Sequence, residues 1–353
     1  MKNYYINGIG SISAQDTLGK NDFFENFKEL DQNVVDAFKP NYKEYIKPAL
    51  IRRMSKGVKI GVVASSIAMK EAGIERPEAI ITGTGMGCVN DSDKFLKNII
   101  DNDEQFLTPT SFIQSTHNTV GAQIALGLGC KSYNVTYVHG ASSFESALID
   151  AMLMIDEERS NVLVGAVDEL GSYTTSLYNL IGHVKEEESL HEGILASNSK
   201  GVIFSEGAQF FVLEDKKISK TYARLVDLAV YNSLGEDNIE HKIIQFLNEN
   251  KLNISDLDVI IFGLNGDVEY DRIYKNLMGS VFKNNQQLYY KHLSGEYNTS
   301  SSFGMFTACQ ILHNQKIPEI LKLNKVKESA VKHILLYNQY RGANHSFTLL
   351  SSC

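Results

Sequence analysis

Cysteine is scarce in this 353-residue chain, and Cys88, Cys130, Cys309 and Cys353 form no CxxC pair and no framework spacing. That excludes a disulfide scaffold and points to a reduced compartment. Nowhere do apolar residues run on for the ~20 positions that a membrane-spanning helix needs. Residues 1–8 lack the continuous apolar segment of a secretory leader, so a cytoplasmic protein is expected, with no membrane partner. No Pro- or Ser-rich linker divides the chain. Long runs of one charge are missing too, and the formal net charge is −8, which argues against a nucleic-acid partner. The nine histidines are scattered without metal-ligand spacing, so neither a metal nor another cofactor is expected.

What is present is a large apolar fraction, 43%, arranged in alternating strands and helices. Residues 4–10 read as a glycine-ended strand. Residues 55–73 place Val58, Val62, Ile67 and Ala68 at helical spacing, with Gly73 as the stop. Residues 78–85, 161–167 and 209–214 read as buried strands, and 120–128 as an apolar helix. A polar loop follows over 182–198, with the acidic run Glu186 to Glu188. The alternation resumes with strands at 223–230 and 257–263, helices at 238–250 and 303–313, and paired final strands at 333–337 and 346–350. Residues 215–220 are polar enough to be a crossover between two halves, 1–215 and 216–353.

The most informative stretch is 133–151. A β-branched strand runs into the small-residue turn Gly140, Ala141, Ser142, Ser143, and then into an amphipathic helix carrying Ala147 and Leu148. This strand–elbow–helix resembles the active-site turn of the β-ketoacyl synthases of the thiolase superfamily. Three further segments resemble the same enzymes: the opening strand 6–13, the Arg53-Met54 entry to the first long helix, and the Glu206-Gly207-Ala208 strand that leads to Val212, Leu213 and Glu214. The likeness covers nearly the whole chain. It implies an α/β thiolase fold, with duplicated α/β halves in a five-layer αβαβα architecture.

The resemblance also shows what is missing. In the family a cysteine stands where this chain has Ala141; a helix N-terminus lowers its pKa so that the thiolate can attack. The family's first histidine follows a strand like 259–262, where Leu264 or Asn265 stands here. Its second follows a lysine by five residues, and from Lys291 that count lands on Glu296. An ionised glutamate only accepts hydrogen bonds and cannot serve an oxyanion as histidine does. The family's final glycine-rich turn becomes Tyr340, Arg341, Gly342, Ala343, Asn344. Arg341 would cap the pantetheine tunnel, pair with Glu296 or point to solvent. Ser142 with Tyr340, Arg341, Gly342 and Asn344 would form the remnant of the acyl pocket and oxyanion loop. No catalytic residue is expected.

Cysteine-less relatives of this kind, the chain-length factors, pair with an active ketosynthase and shape its acyl pocket. Residues 108–120 and 143–148 are more closely similar to ketosynthase-like subunits of aryl polyene and flexirubin pathways. The resemblance implies a ketosynthase partner, with any acyl carrier protein reached via that partner, since an acidic chain is a poor dock for an acidic carrier. It also implies a dimer interface at Thr116, His117, Asn118 and Val135, and offers Ala122, Ile124, Ala125, Leu126 and Leu128 as pocket lining. Two other classes stand beside it: an acyltransferase or hydrolase using another nucleophile, with Ser142, Ser143 and His139 nearest the elbow, and a non-catalytic homodimer that binds an acyl chain or carrier protein.

Overall fold

The computed structural model describes residues 2–18, 26–186, 190, 193–326 and 329–353. Its main sheet has ten strands. Five come from the first part of the chain: β1 (Tyr4–Ile12), β2 (Ala79–Gly83), β3 (Tyr133–Tyr137), β4 (Asn161–Asp168) and β5 (Gly207–Glu214). Five follow: β6 (Ala223–Tyr231), β7 (Val259–Phe262), β8 (Gln286–Tyr289), β9 (His333–Tyr340) and β10 (Ala343–Ser351). The spatial order is β8-β7-β9-β10-β6-β1-β5-β4-β2-β3. Outward from the centre, each half runs first strand, fifth, fourth, second, third. The first three are antiparallel neighbours and the last two pair in parallel. Within the sheet the halves are joined where three residues of β1 pair with three of β6. A repeat invisible in the sequence is therefore plain in the topology.

The helices are α1 (Lys56–Ala72), α2 (Val89–Asp101), α3 (Pro109–Ser115), α4 (Thr119–Leu128), α5 (Ser143–Asp156), α6 (Ser172–Leu180), α7 (Glu236–Glu249), α8 (Val268–Gly279) and α9 (Ser301–Asn314). Period-2 alternation along the buried strands sorts neighbours to opposite faces. Ile80, Leu163 and Phe210 join α1 and α4 in one apolar cluster. Their neighbours Ile81, Val164 and Phe211 face inward to α5 and α9. In the other half Ile260, Leu335 and Leu349 pack with α7 and α8. Ile261, Leu336 and Leu350 turn to the same inner cluster as α5 and α9. Helices α1 and α4 pack on one face of the first half, α7 and α8 on one face of the second, and α5 and α9 in the cluster common to both; the molecule is a mixed α/β protein.

Capping explains the sharpest boundary. The Ser55 side chain accepts from the Val58 amide at the start of α1, and Gly73 closes it at φ 73°. Glu187 and Glu188 of the acidic run lie outside the described residues.

Candidate functional site

The inner helix α5 begins on the elbow that ends β3. Gly140 takes φ 57°, which glycine adopts without strain. Gly83 at the end of β2 lies so close beneath that an added Cβ would sit 2.5 Å from the Ser143 carbonyl oxygen. The elbow is thus clamped between two strands, and Ala141 is only 4% exposed. Its methyl group has nothing to ionise.

The hydroxyls beside it are occupied. Ser143 Oγ contacts the carbonyls of Gly140 at 2.7 Å and Thr84 at 2.8 Å, and accepts from the His139 amide at 2.8 Å. Ser142 Oγ reaches Asn344 Oδ1 at 3.4 Å. His139 Nδ1 lies 2.9 Å from Ser146 Oγ, which itself donates to the Ser142 carbonyl. With that proton committed, the imidazole donates to Ser146 and cannot serve it as a base.

The two positions that the resemblance sets against the family's histidines belong to one buried network. Leu264 turns into the outer apolar cluster, so Asn265 is the residue that faces the site. Asn265 Nδ2 donates to Glu296 Oε2 at 2.6 Å. Lys291 Nζ lies 2.7 and 3.0 Å from the two Glu296 oxygens, and Ser300 Oγ donates to Oε1 at 2.8 Å. Lys291 and Glu296 are 1% and 3% exposed at the side chain. This carboxylate has a full set of donors and is a strut, not a base. Asp271 accepts from the amides of Asn265 and Gly266, fixing their turn; burial pushes its carboxyl up to about 6.

One group is less complete. Glu145, one helical turn after Ala141, is buried; its Oε1 accepts from Ser346 at 3.0 Å and Oε2 has no hydrogen bond. Burial pushes this carboxyl up, opposed by neighbouring hydroxyls and by Lys291. The sequence does not mark this group, because its surroundings come from α9 and β10, which are remote in sequence.

The remnant loop is a two-residue hairpin turn between β9 and β10, with Arg341 at φ 52° and Gly342 at φ 74°. Both positive, these define a type I′ turn. Arg341 does not pair with Glu296: its guanidinium lies 5.1 Å over the Tyr270 ring. Glu296 is already held by Lys291, which removes the reason for such a pair. Between Asp168, Glu296, Tyr297 and Tyr340 is a cavity of about 30 Å³, room for one or two waters.

Helix α4 does not line this space. Ile124 packs in the outer cluster with α1, and Leu126 is 73% exposed. The sheet stands between α4 and the elbow, so α4 lies apart from the space beside Ala141. Thr116 is half-buried, His117 and Asn118 are exposed, and Val135 is half-buried on β3, the last strand of the sheet. Thr116 Oγ1 bonds Thr119 Oγ1 at 2.8 Å.

Residues 28–179 match the sequence family described as the β-ketoacyl synthase N-terminal domain. No curated protein matches the chain in sequence. Solved structures match it over its full length. The ishigamide ketosynthase/chain length factor aligns with TM-score 0.80 at 16% identity, covering 100% of this chain and 99% of that one. A type II polyketide acyl-carrier protein in complex with its ketosynthase bound to the hexaketide gives 0.74 at 16%, over 100% and 99%. A ketosynthase in complex with its chain length factor from Xenorhabdus doucetiae gives 0.73 at 14%, over 100% and 98%. The fold is therefore the thiolase-like fold of the ketosynthases.

Proposed function

We propose that this chain is a catalytically silent ketosynthase homologue that acts as the chain-length-factor-like partner of an active ketosynthase, in a pathway of the fatty-acid or polyene type. The observation that carries the reading is the elbow: Ala141 stands at the nucleophile position, and Asn265, Lys291 and Glu296 bond one another where two histidines would be needed. Ser142, which reaches Asn344, and the hairpin turn Tyr340 to Gly342 would be the remnant of the acyl pocket beside it. The partner surface is the side of the first half, residues 1–215, that presents β3, Thr116, His117 and Asn118. Of the 19 large apolar side chains exposed among the described residues, 15 lie between Met86 and Ile181 in the sequence. Such a concentration supports a protein-binding role for this half. The similarity of residues 108–120 to aryl polyene and flexirubin subunits supports that branch.

The test is loading and co-purification. Incubated with acyl and malonyl carrier proteins, the isolated chain forms no acyl-enzyme and releases no carbon dioxide above a heat-treated control. Ala141→Cys alone restores no condensation, because both histidines are still missing. Co-produced with the ketosynthase of its native host, the chain elutes as a stoichiometric complex. Turnover by the isolated chain would overturn the reading in favour of an enzyme, and a stable homodimer indifferent to the ketosynthase would favour a binding module.

A further inference from the structure

The second half exposes almost no large apolar side chain. Among the described residues of 216–353 only Ile244 and Val326 are exposed, at 37% each, and both line one cleft. The cleft has a volume of about 670 Å³ and lies at the N-terminal ends of β7, β8 and β9, where Val259 pairs with Gln286 and Ile334. Asn265, Lys291 and Tyr340 stand at the other ends of the same strands, so the cleft is separate from the candidate site. Side-chain amides brace its walls. Asn285 Nδ2 donates to the carbonyls of Leu257 at 2.7 Å and Ile254 at 3.1 Å. Gln286 Nε2 donates to Asn324 Oδ1, and Asn324 Nδ2 to the Asn285 carbonyl, both at 2.9 Å. Gln315 and Val331 exchange two bonds of 2.9 Å, and Asp258 accepts from the amides of Lys332 and His333 at 2.7 and 2.9 Å. Hydrogen bonds are directional, so walls held in this way cannot slide together and fill the hollow.

We propose that this cleft binds a small uncharged molecule with an aliphatic body and one hydroxyl or amide head. The inference stands apart from the partner-subunit reading above. The lining sets the class of ligand. Val, Leu and Ile make up more than half of it and no aromatic residue belongs to it, which suits an aliphatic chain and gives a planar ring nothing to stack on. No Lys, Arg or His lines the cleft, and its one carboxylate, Asp258, is already engaged. A charged ligand would lose its water and find no partner. A neutral head does find partners at the rim: Asn248 and Asn284 are exposed, and their side chains make no hydrogen bond among the described residues. The volume falls within the ~300–1,000 Å³ of small-molecule sites. Protein interiors leave few voids larger than a water molecule, so an aliphatic hollow of this size calls for an occupant.

The test titrates the full chain with three probes of one chain length, 1-octanol, octanoate and octylammonium, by isothermal titration calorimetry. Octanol should bind, and each charged probe should bind more weakly by on the order of tenfold or more. Ile244→Trp, at an exposed position on α7, should fill the cleft and abolish the octanol signal. Glu240→Trp, exposed on the same helix but outside the cleft, should leave it unchanged. Thermal melts matching that of the parent chain show that both variants are folded. Equal or tighter binding of either charged probe overturns the proposal, as does octanol binding that persists in Ile244→Trp. Absence of octanol binding by the parent chain overturns it as well. If Ile244→Trp then also breaks pairing with a ketosynthase, the cleft belongs to a protein contact.

Discussion

Glu145 and Glu296 are two buried carboxylates with opposite environments, and substitution should separate them. Glu296 accepts from Lys291, Asn265 and Ser300, whereas one oxygen of Glu145 accepts nothing. Removing one member of a buried pair strands the other charge. Glu296→Ala or Lys291→Ala should therefore cost ~3–5 kcal/mol in urea unfolding. The double variant Lys291→Met/Glu296→Leu should cost less than either single one. A double variant worse than both would mean that the pair stabilises by more than mutual neutralisation. For Glu145 the sign is reversed. Burial raises its folded pKa, so the folded state binds a proton more readily than the unfolded one, and stability falls as pH rises through that range. Glutamine mimics the protonated form. Glu145→Gln should raise the urea midpoint at pH 8 and change it little at pH 4, below the ordinary glutamate range. A gain of the same size at both pH values would show that ionisation is not the cause.

Elements were legible where local chemistry alone decides them. The Ser55 cap and Gly73 stop bracket α1 because both act within one turn of the chain. The strand–elbow–helix at 133–151 was legible because a sharp turn admits few residue types. Less legible was α2, in which Val89 is the only buried side chain: an amphipathic helix with its apolar residues left at the surface gives no core-facing stripe to read. The pairing of β1 with β6 and the common plan of both halves rest on long-range contacts that leave no sequence period. At the site, the assignment of Ala141 and Glu296 to positions of the family's cysteine and histidine rests on the resemblance alone. The choice of Asn265 over Leu264, and Arg341 leaning on Tyr270, were not legible, because each depends on a neighbour from another element. The edge strand carries its own prediction. β3 ends the sheet with a row of ladder groups unpaired by any described strand, beside the exposed Leu126, Val138, Ile149 and Leu153. Val135→Asp, half-buried on that strand, should abolish association in sizing experiments at micromolar concentration while the melting transition of the monomer persists. An unchanged elution volume would remove β3 from the interface.

For the whole molecule, salt separates apolar from electrostatic association. Most of the large apolar side chains exposed among the described residues lie between Met86 and Ile181, and burial of such surface does not weaken as ions are added. An obligate interface of this kind buries more than ~2,000 Å². A contact through surface charge would instead be screened to within a few ångströms at 0.5 M salt. Under the proposed function, a reconstituted complex of this chain with a ketosynthase should therefore stay together as sodium chloride rises from 0.05 to 0.5 M, and multi-angle light scattering should read an unchanged mass. Dissociation at the higher salt would show that the contact is electrostatic, and the exposed apolar side chains would then need another occupant.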